Sequence, residues 1–246
     1  MSVIACLKHI GQTPLEVVNI LREQKGWEKG KVKLSYAGRL DPMAHGLMLV
    51  LKDEQCYKQH DYHNLNKKYI FKMLVGISTD TYDILGKVDK VMNIDNETLI
   101  EVINKIREHP HTFFQEYPPY SSVRVDGKPL WKHSKDGTLD LITIPGKKVS
   151  IQCIGIKGVQ SINKENLLKL ININIGKMDA KHNFRQKEIL EEWPNINEDD
   201  YKVITIVAEV SCGFYVRSFC HNIGESLGIP CMALDILRTQ VGEYHL

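Results

Sequence analysis

Ser35 to Leu51, SYAGRLDPMAHGLMLVL, places an arginine and an aspartate between two glycines and then runs into five consecutive apolar residues, Leu47 to Leu51. An unbroken apolar run of that length, bounded by turn residues, predicts a short apolar strand. The segment before it is built to hold one side chain still. Pro42 pushes the backbone of Asp41 out of the helical region into an extended one. Gly38 and Gly46 permit tight turns on either side, so the loop can bring its backbone close to a ligand. In an extended segment Arg39 and Asp41 point to the same face. Two readings follow from the stretch alone: a surface turn carrying an ion pair, or a carboxylate at the mouth of a sheet acting as nucleophile or general base.

Outward from this loop, the chain alternates strand and helix patterns, with no long linker, repeat or low-complexity tract. Val3 to Leu7 reads as a buried strand, and Leu15, Val17, Val18 and Leu21 form the stripe of an amphipathic helix. The basic, glycine-punctuated stretch from Arg22 to Lys33 is expected to be an exposed loop. Lys67 to Gly76 has the aromatic and aliphatic content of a strand. Asn96 is expected to cap a helix whose apolar stripe is Leu99, Ile100, Val102, Ile103 and Ile106. Further strands are predicted at Lys148 to Ile156, Leu167 to Ile175 and Val203 to Cys212, with an acidic, exposed insertion at about 185–200 between the last two. After Gly213 a helix is expected to close on Gly228 as its C′ residue, and the segment from Met232 reads as a last strand. The pattern predicts a single α+β domain over residues 1–246, a mixed, largely antiparallel sheet flanked by helices.

The 246 residues are 43% hydrophobic and 25% charged, with a net charge of +2, so charge alone does not announce a nucleic-acid partner. No stretch approaches the roughly 20 apolar residues of a membrane span, and the amino end lacks the pattern of a signal peptide. The six cysteines are scattered without a C-x-x-C pair, as in a reduced, intracellular setting. Cys56, His60, Asp61 and His63 are the one stretch resembling a metal cluster; with no second ligand pair elsewhere they read as a solvated helix face, and no metal site is expected.

The blocks of the sequence, taken in order, resemble the TruB family of pseudouridine synthases. GRLDPMAHG matches the family's catalytic loop, G-x-L-D-P-x-A-x-G, through Gly38, Leu40, Asp41, Pro42, Ala44 and Gly46. LKHIGQTP resembles the amino-terminal K-P-x-G-x-T-S block at Lys8, Gly11 and Thr13. The K-x-Y strand and the G-x-x-T-D-T-x-D-x-x-G segment are matched by Lys67 or Lys68, Tyr69, Gly76, Thr79, Asp80, Thr81, Asp83 and Gly86. The stretch from Gln115 to Gly137 is similar to the P-x-Y-S-A and G-K-x-L-Y blocks, and SCGFYVRSFCHNIGESLG to G-T-Y-I-R-x-x-x-x-x-L-G.

The resemblance implies conversion of uridine to pseudouridine, most specifically at position 55 in the T-arm of tRNA, without a cofactor. It implies Asp41 as the essential carboxylate, Arg217 as the cation that pairs with it, and Tyr69 against the target base as the acceptor of its carbon-bound proton. Asp80 and Tyr215 match pocket-lining residues; Gly38 shapes the loop. Lys8, Arg39, Lys67, Lys68, Arg124 and Lys128 would contact phosphates. Tyr36 stands where bacterial members have a histidine that contacts RNA, and His9 where a proline is usual; both departures bear on RNA docking before chemistry. The closing block runs to Leu246, so a catalytic domain without the PUA domain of many relatives is expected, as a monomer with tRNA for its partner. A non-catalytic RNA-binding protein of the same fold, and a glycosidase using Asp41 with Asp80, are the competing readings.

Overall fold

The apolar run Leu47 to Leu51 is the interior of a strand in the computed structural model, which describes residues 3–246. Along the chain the strands are β1 (Val3–Lys8), β2 (Leu34–Ala37), β3 (His45–Lys52), β4 (Lys67–Val75), β5 (Ile77–Thr79), β6 (Val88–Val91) and β7 (Thr112–Glu116). They continue with β8 (Arg124–Val125), β9 (Lys128–Pro129), β10 (Gly146–Asn163), β11 (Asp200–Val210), β12 (Cys231–Val241) and β13 (Tyr244–His245). Between them lie helices α1 (Pro14–Gln24), α2 (Gln59–Asn64), α3 (Asn96–Arg107), α4 (Leu130–Lys135), α5 (Lys164–Gly176), α6 (Gln186–Glu192) and α7 (Val216–Glu225).

The main sheet runs β1-β3-β12-β4-β11-β10-β7, with β2 on β3 and β13 on β12. Every pairing in it is antiparallel except the short parallel contact of β3 with β12, at His45–Leu237 and Gly46–Arg238. The mixed, largely antiparallel sheet flanked by helices is therefore present. The contact needs Gly46: its φ is +112°, and a Cβ there would sit 2.3 Å from the Arg238 carbonyl oxygen.

The double-sided burial of β3 accounts for its unbroken apolar sequence. Leu47, Leu49 and Leu51 pack with Ala37, Cys56 and Val241 on one face, while Met48 and Val50 meet Val17, Val18 and Leu21 of α1 on the other. The larger core lies where α3, α5 and α7 cover β4, β11 and β12, as in the edge-to-face contact of Phe71 with Phe219 at 6.0 Å.

Three expectations are corrected, and one about a helix end holds. Residues 167–175 are helix, not strand: Asn163 caps α5 by accepting from the Asn166 N–H, and Leu167, Ile171 and Ile175 are buried at a spacing of four. The cap of α3 is Asp95 rather than Asn96; its carboxylate accepts from the Thr98 N–H at 2.8 Å. Gly228 does close α7 as its C′ residue: it is left-handed at φ +72°, its N–H donates to the Glu225 carbonyl at 3.1 Å, and the Ile229 N–H donates to the Gly224 carbonyl at 2.9 Å. The acidic stretch at 185–200 is not an exposed insertion. Ile189, Trp193 and Ile196 are buried in the main core, and the Trp193 indole N–H donates to the Gly86 carbonyl at 3.2 Å.

Candidate active site

The loop between β2 and β3 is held from behind by two buried cations that bond backbone instead of carboxylates. Lys8, fully buried at the end of β1, donates its Nζ to the carbonyls of Ala44 (2.5 Å), His9 (3.1 Å) and Pro42 (3.4 Å). Arg238, on β12, donates to the carbonyls of Leu47 (2.7 Å), Gly38 (3.1 Å) and Arg39 (3.2 Å). Gly11 N–H adds a bond to Pro42 O at 2.9 Å, and Gly38 N–H donates to Nδ1 of His63 at 3.2 Å. Carbonyls turned inward leave the Asp41 side chain turned out, one-third exposed at 34%.

Arg217 occupies the second position of α7, where the helix start is fixed by the buried Gln115 bonding both N–H and C=O of Tyr215. Its guanidinium donates from Nε to Asp41 Oδ2 at 2.8 Å, from Nη1 to Thr81 O at 2.9 Å and from Nη2 to Tyr120 O at 3.3 Å. Asp83 Oδ2 lies 3.4 Å from the same Nε. Burial works against the Arg217 charge, but Asp41 and Asp83 outweigh it and hold the guanidinium above its ordinary pKa. Burial pushes the Asp83 carboxyl up to about 6, against the pull of Arg217 and a hydrogen bond from Thr81.

Two cavities meet at Asp41, with Arg39, Leu40 and Ser122 also in both walls. The smaller, about 260 Å³, is lined by Tyr69, Phe214, Tyr215 and Ile236. Burial raises the Tyr215 phenol to about 12, with Asp41 adding to the effect, so it stays protonated as a donor. The larger, about 420 Å³, takes Tyr36 and Arg217 into its walls together with Tyr120, Trp131, Phe184 and Arg185.

Of the residues singled out in the sequence, Asp41, Arg217, Tyr69, Tyr215, Gly38, Arg39 and Tyr36 come together around these cavities. Others do not. Arg39 does not pair with Asp41; it donates to the Ser122 hydroxyl while Asp41 faces Arg217. Lys8 and Lys67 are buried and bonded to carbonyls, Lys67 to those of His63 and Leu65, although Lys67 also lines the smaller cavity. Burial lowers Lys8 to about 7 and Lys67 to about 8. Lys68 is exposed on the face of β4 opposite Tyr69, and Lys128 is paired with Asp136 at 2.5 Å. Asp80 lies outside both cavities, bonded to Arg185 at 2.6 and 3.0 Å and to the Lys87 N–H at 2.9 Å.

Asp83 is the carboxylate beside Arg217, and its signal was the second aspartate of TDTYD. Arg185 and Arg238 were not singled out in the sequence; Lys8 was, through the amino-terminal block, but as a phosphate contact and not as a prop for the loop. The stretch from Cys56 to His63 is not a solvated face throughout: Cys56 is buried, and His63 supports the Asp41 loop.

The family model for the N-terminal domain of TruB family pseudouridylate synthases matches residues 25–176, more than half of the chain. The chain belongs to the TruB family. Among curated relatives, the tRNA pseudouridine synthase B of Malacoplasma penetrans is 26% identical over 94% of this chain and 81% of its own length. That of Thermotoga maritima is 27% identical over 99% of this chain and 63% of its own. The chain thus spans less than two thirds of the Thermotoga protein. Two solved structures share the fold of this TruB-family chain. A Cbf5-Nop10-Gar1 complex aligns with a TM-score of 0.58 at 17% identity, over 98% of this chain and 50% of that one. An H/ACA RNP bound to a substrate RNA containing 2′-deoxyuridine aligns at 0.54 and 16%, over 99% and 48%.

Proposed function

We propose that this protein is an isomerase converting uridine to pseudouridine in tRNA, with position 55 of the T-arm as its target and Asp41 as its nucleophile. The observation that carries the reading is the Asp41–Arg217 ion pair at 2.8 Å, set at the junction of two cavities in a chain of this family. The relatives' shared name supplies the substrate class.

The reaction breaks the N1–C1′ bond, turns the base and forms a C5–C1′ bond. C5 loses a proton and N1 gains one, so atoms and electrons balance without a cofactor. A carboxylate attacking the sugar or the base serves this balance equally. The target uridine enters the smaller cavity, where Asp41 is one wall and Tyr69 another. Tyr69 receives the C5 proton, and Tyr215, protonated, holds the base by its face or its hydroxyl. Arg217 neutralises Asp41 on the side away from the base and restrains its rotation through three other contacts to the frame. Extruding the uridine costs a few kcal/mol, least from a structured loop, which favours a T-arm over a duplex.

Tritium release from tRNA labelled at C5 of uridine tests this. Wild-type protein is expected to release tritium and to leave pseudouridine at position 55, while Asp41→Asn binds the RNA and releases none. Equal release by both proteins removes Asp41 from the chemistry; no release by folded wild type on any T-arm RNA removes the function.

A further inference from the structure

Arg217 and His221 stand one turn apart on α7 and face the same segment, the loop 80–87 between β5 and β6. Arg217 takes partners from either side of Tyr82: the Thr81 carbonyl at 2.9 Å and the Asp83 carboxylate at 3.4 Å. Tyr82 itself is left-handed, at φ +63°. Glycine, asparagine and aspartate enter that region readily, whereas a bulky ring there is an outlier that the surrounding structure must hold in place. Two backbone bonds do part of this. The Tyr82 N–H donates to the Thr79 carbonyl at 3.0 Å, and the Tyr82 carbonyl accepts from the Ala233 N–H at 3.0 Å. The rest comes from the side chain, whose ring lies flat on the His221 ring, with centroids 3.6 Å apart and planes 9° apart. Burial pushes the His221 imidazole below its usual range, against the pull of Glu225 and Asp89, and raises the Tyr82 phenol to about 12, so two uncharged rings stack near neutral pH.

We propose that the Tyr82–His221 stack is a positioning pair for the reaction, holding residue 82 left-handed so that the Thr81 carbonyl and the Asp83 carboxylate stay aimed at Arg217 and, through it, fix Asp41. The inference rests on the functional reading above. Neither ring is in the walls of the two cavities, so the pair acts through Arg217 and not on the substrate. Rotation about the N–Cα bond of residue 82 turns the Thr81–Tyr82 peptide against Asp83, which is itself tied down by the Thr79 and Thr81 hydroxyls, each at 2.6 Å. A residue 82 that relaxes out of the left-handed region therefore swings the Thr81 carbonyl away from Nη1 of Arg217. The guanidinium then loses a contact that stops its fork from turning, and Asp41 gains freedom at a cost to the rate out of proportion to the distance moved. Because Arg217 and His221 share one face of α7, a single helix sets both the ion pair and the stack that supports it.

The test is single-turnover pseudouridine formation in a T-arm stem-loop, with RNA affinity and the melting profile measured alongside for each protein. Tyr82→Ala and His221→Ala, each lacking one ring, are expected to lose roughly 10²-fold in rate while affinity changes by no more than about threefold. The double variant should lose no more than either alone, because the first substitution has already broken the stack. Tyr82→Phe and His221→Phe keep two flat rings and are expected to stay within about threefold of the wild-type rate. Tyr82→Gly separates backbone from ring: glycine is left-handed without a stack, and it should recover at least about tenfold over Tyr82→Ala. Alanine is a good helix former, so His221→Ala carries the test if Tyr82→Ala does not fold. Ring-deleting variants that melt lower yet react at the wild-type rate overturn the proposal, leaving a stack that serves stability alone. Tyr82→Gly as slow as Tyr82→Ala overturns the part played by the left-handed backbone. If wild type forms no pseudouridine, the functional reading falls and takes the positioning pair with it; an active wild type matched by His221→Ala removes the pair alone.

Discussion

Arg217 engages Asp41, Thr81 and Tyr120 through three different nitrogens, with Asp83 as a further neighbour of Nε. A lysine keeps the charge but, as a single point, cannot hold that fork. Arg217→Lys is expected to lower single-turnover pseudouridine formation by roughly 10²-fold, with RNA affinity changed far less. Asp83 gives a pH signature of its own. Its carboxyl titrates at about 6 in the folded protein, raised by burial, against about 4 in the unfolded chain. Between those values the folded state holds a proton the unfolded chain has released, so this group's contribution to stability is full below about pH 4 and is lost as pH rises through about 6. The Tm of Asp83→Asn relative to wild type should therefore climb across that window; a constant difference would mean that Asp83 is not a displaced acid. The two aspartates also mark the limit of sequence reading. Pro42 and the glycines alone left Asp41 open between a surface ion pair and a working carboxylate; Asp41 and Arg217 were legible through their motifs. Asp80 and Asp83 sit three positions apart in one turn, and only the packing of Arg217 tells which faces the site.

At the scale of elements, what the sequence showed and what it hid differ in a physical way. β3 and β4 were legible because their burial is written into consecutive or alternating apolar residues. In α5, the sequence LLKLININI is rich in β-branched residues and alternates over its second half, which favours strand on local grounds. Tertiary burial of Leu167, Ile171 and Ile175 decides for helix. The acidic 185–200 stretch misleads for the opposite reason: its charges face water, while a few large apolar residues anchor it. Trp193→Ala measures that anchor. It is expected to cost about 3–5 kcal/mol in urea unfolding, the range of a buried tryptophan leaving a cavity. An exposed insertion would show less than about 0.5 kcal/mol. Because Arg185 stands at the N-cap of α6, the same variant is expected to weaken the wall of the larger cavity and to raise the KM for RNA.

Across the whole molecule, the catalytic loop lies at a joint. The sheet is continuous, but β3 meets β12 through only two residue pairs, and the packing on β3 forms clusters separate from the main core. What fastens the joint is Arg238, buried without a carboxylate partner and bonded to carbonyls on both sides of Asp41. No periodicity in the sequence announces such a residue, since its partners are backbone atoms roughly two hundred positions away. Arg238→Met would fill much of the space while leaving three inward carbonyls unsatisfied, a loss of at least about 2 kcal/mol. The wild-type chain is expected to unfold in a single urea transition, with pseudouridine formation and far-UV circular dichroism falling together. In Arg238→Met the part built on β1, β2 and β3 should open first, so that activity is lost at a lower urea concentration than helical signal. If the two curves still coincide in the variant, the short parallel contact holds the joint unaided, and Asp41 owes its position to Lys8 and the loop's own turns.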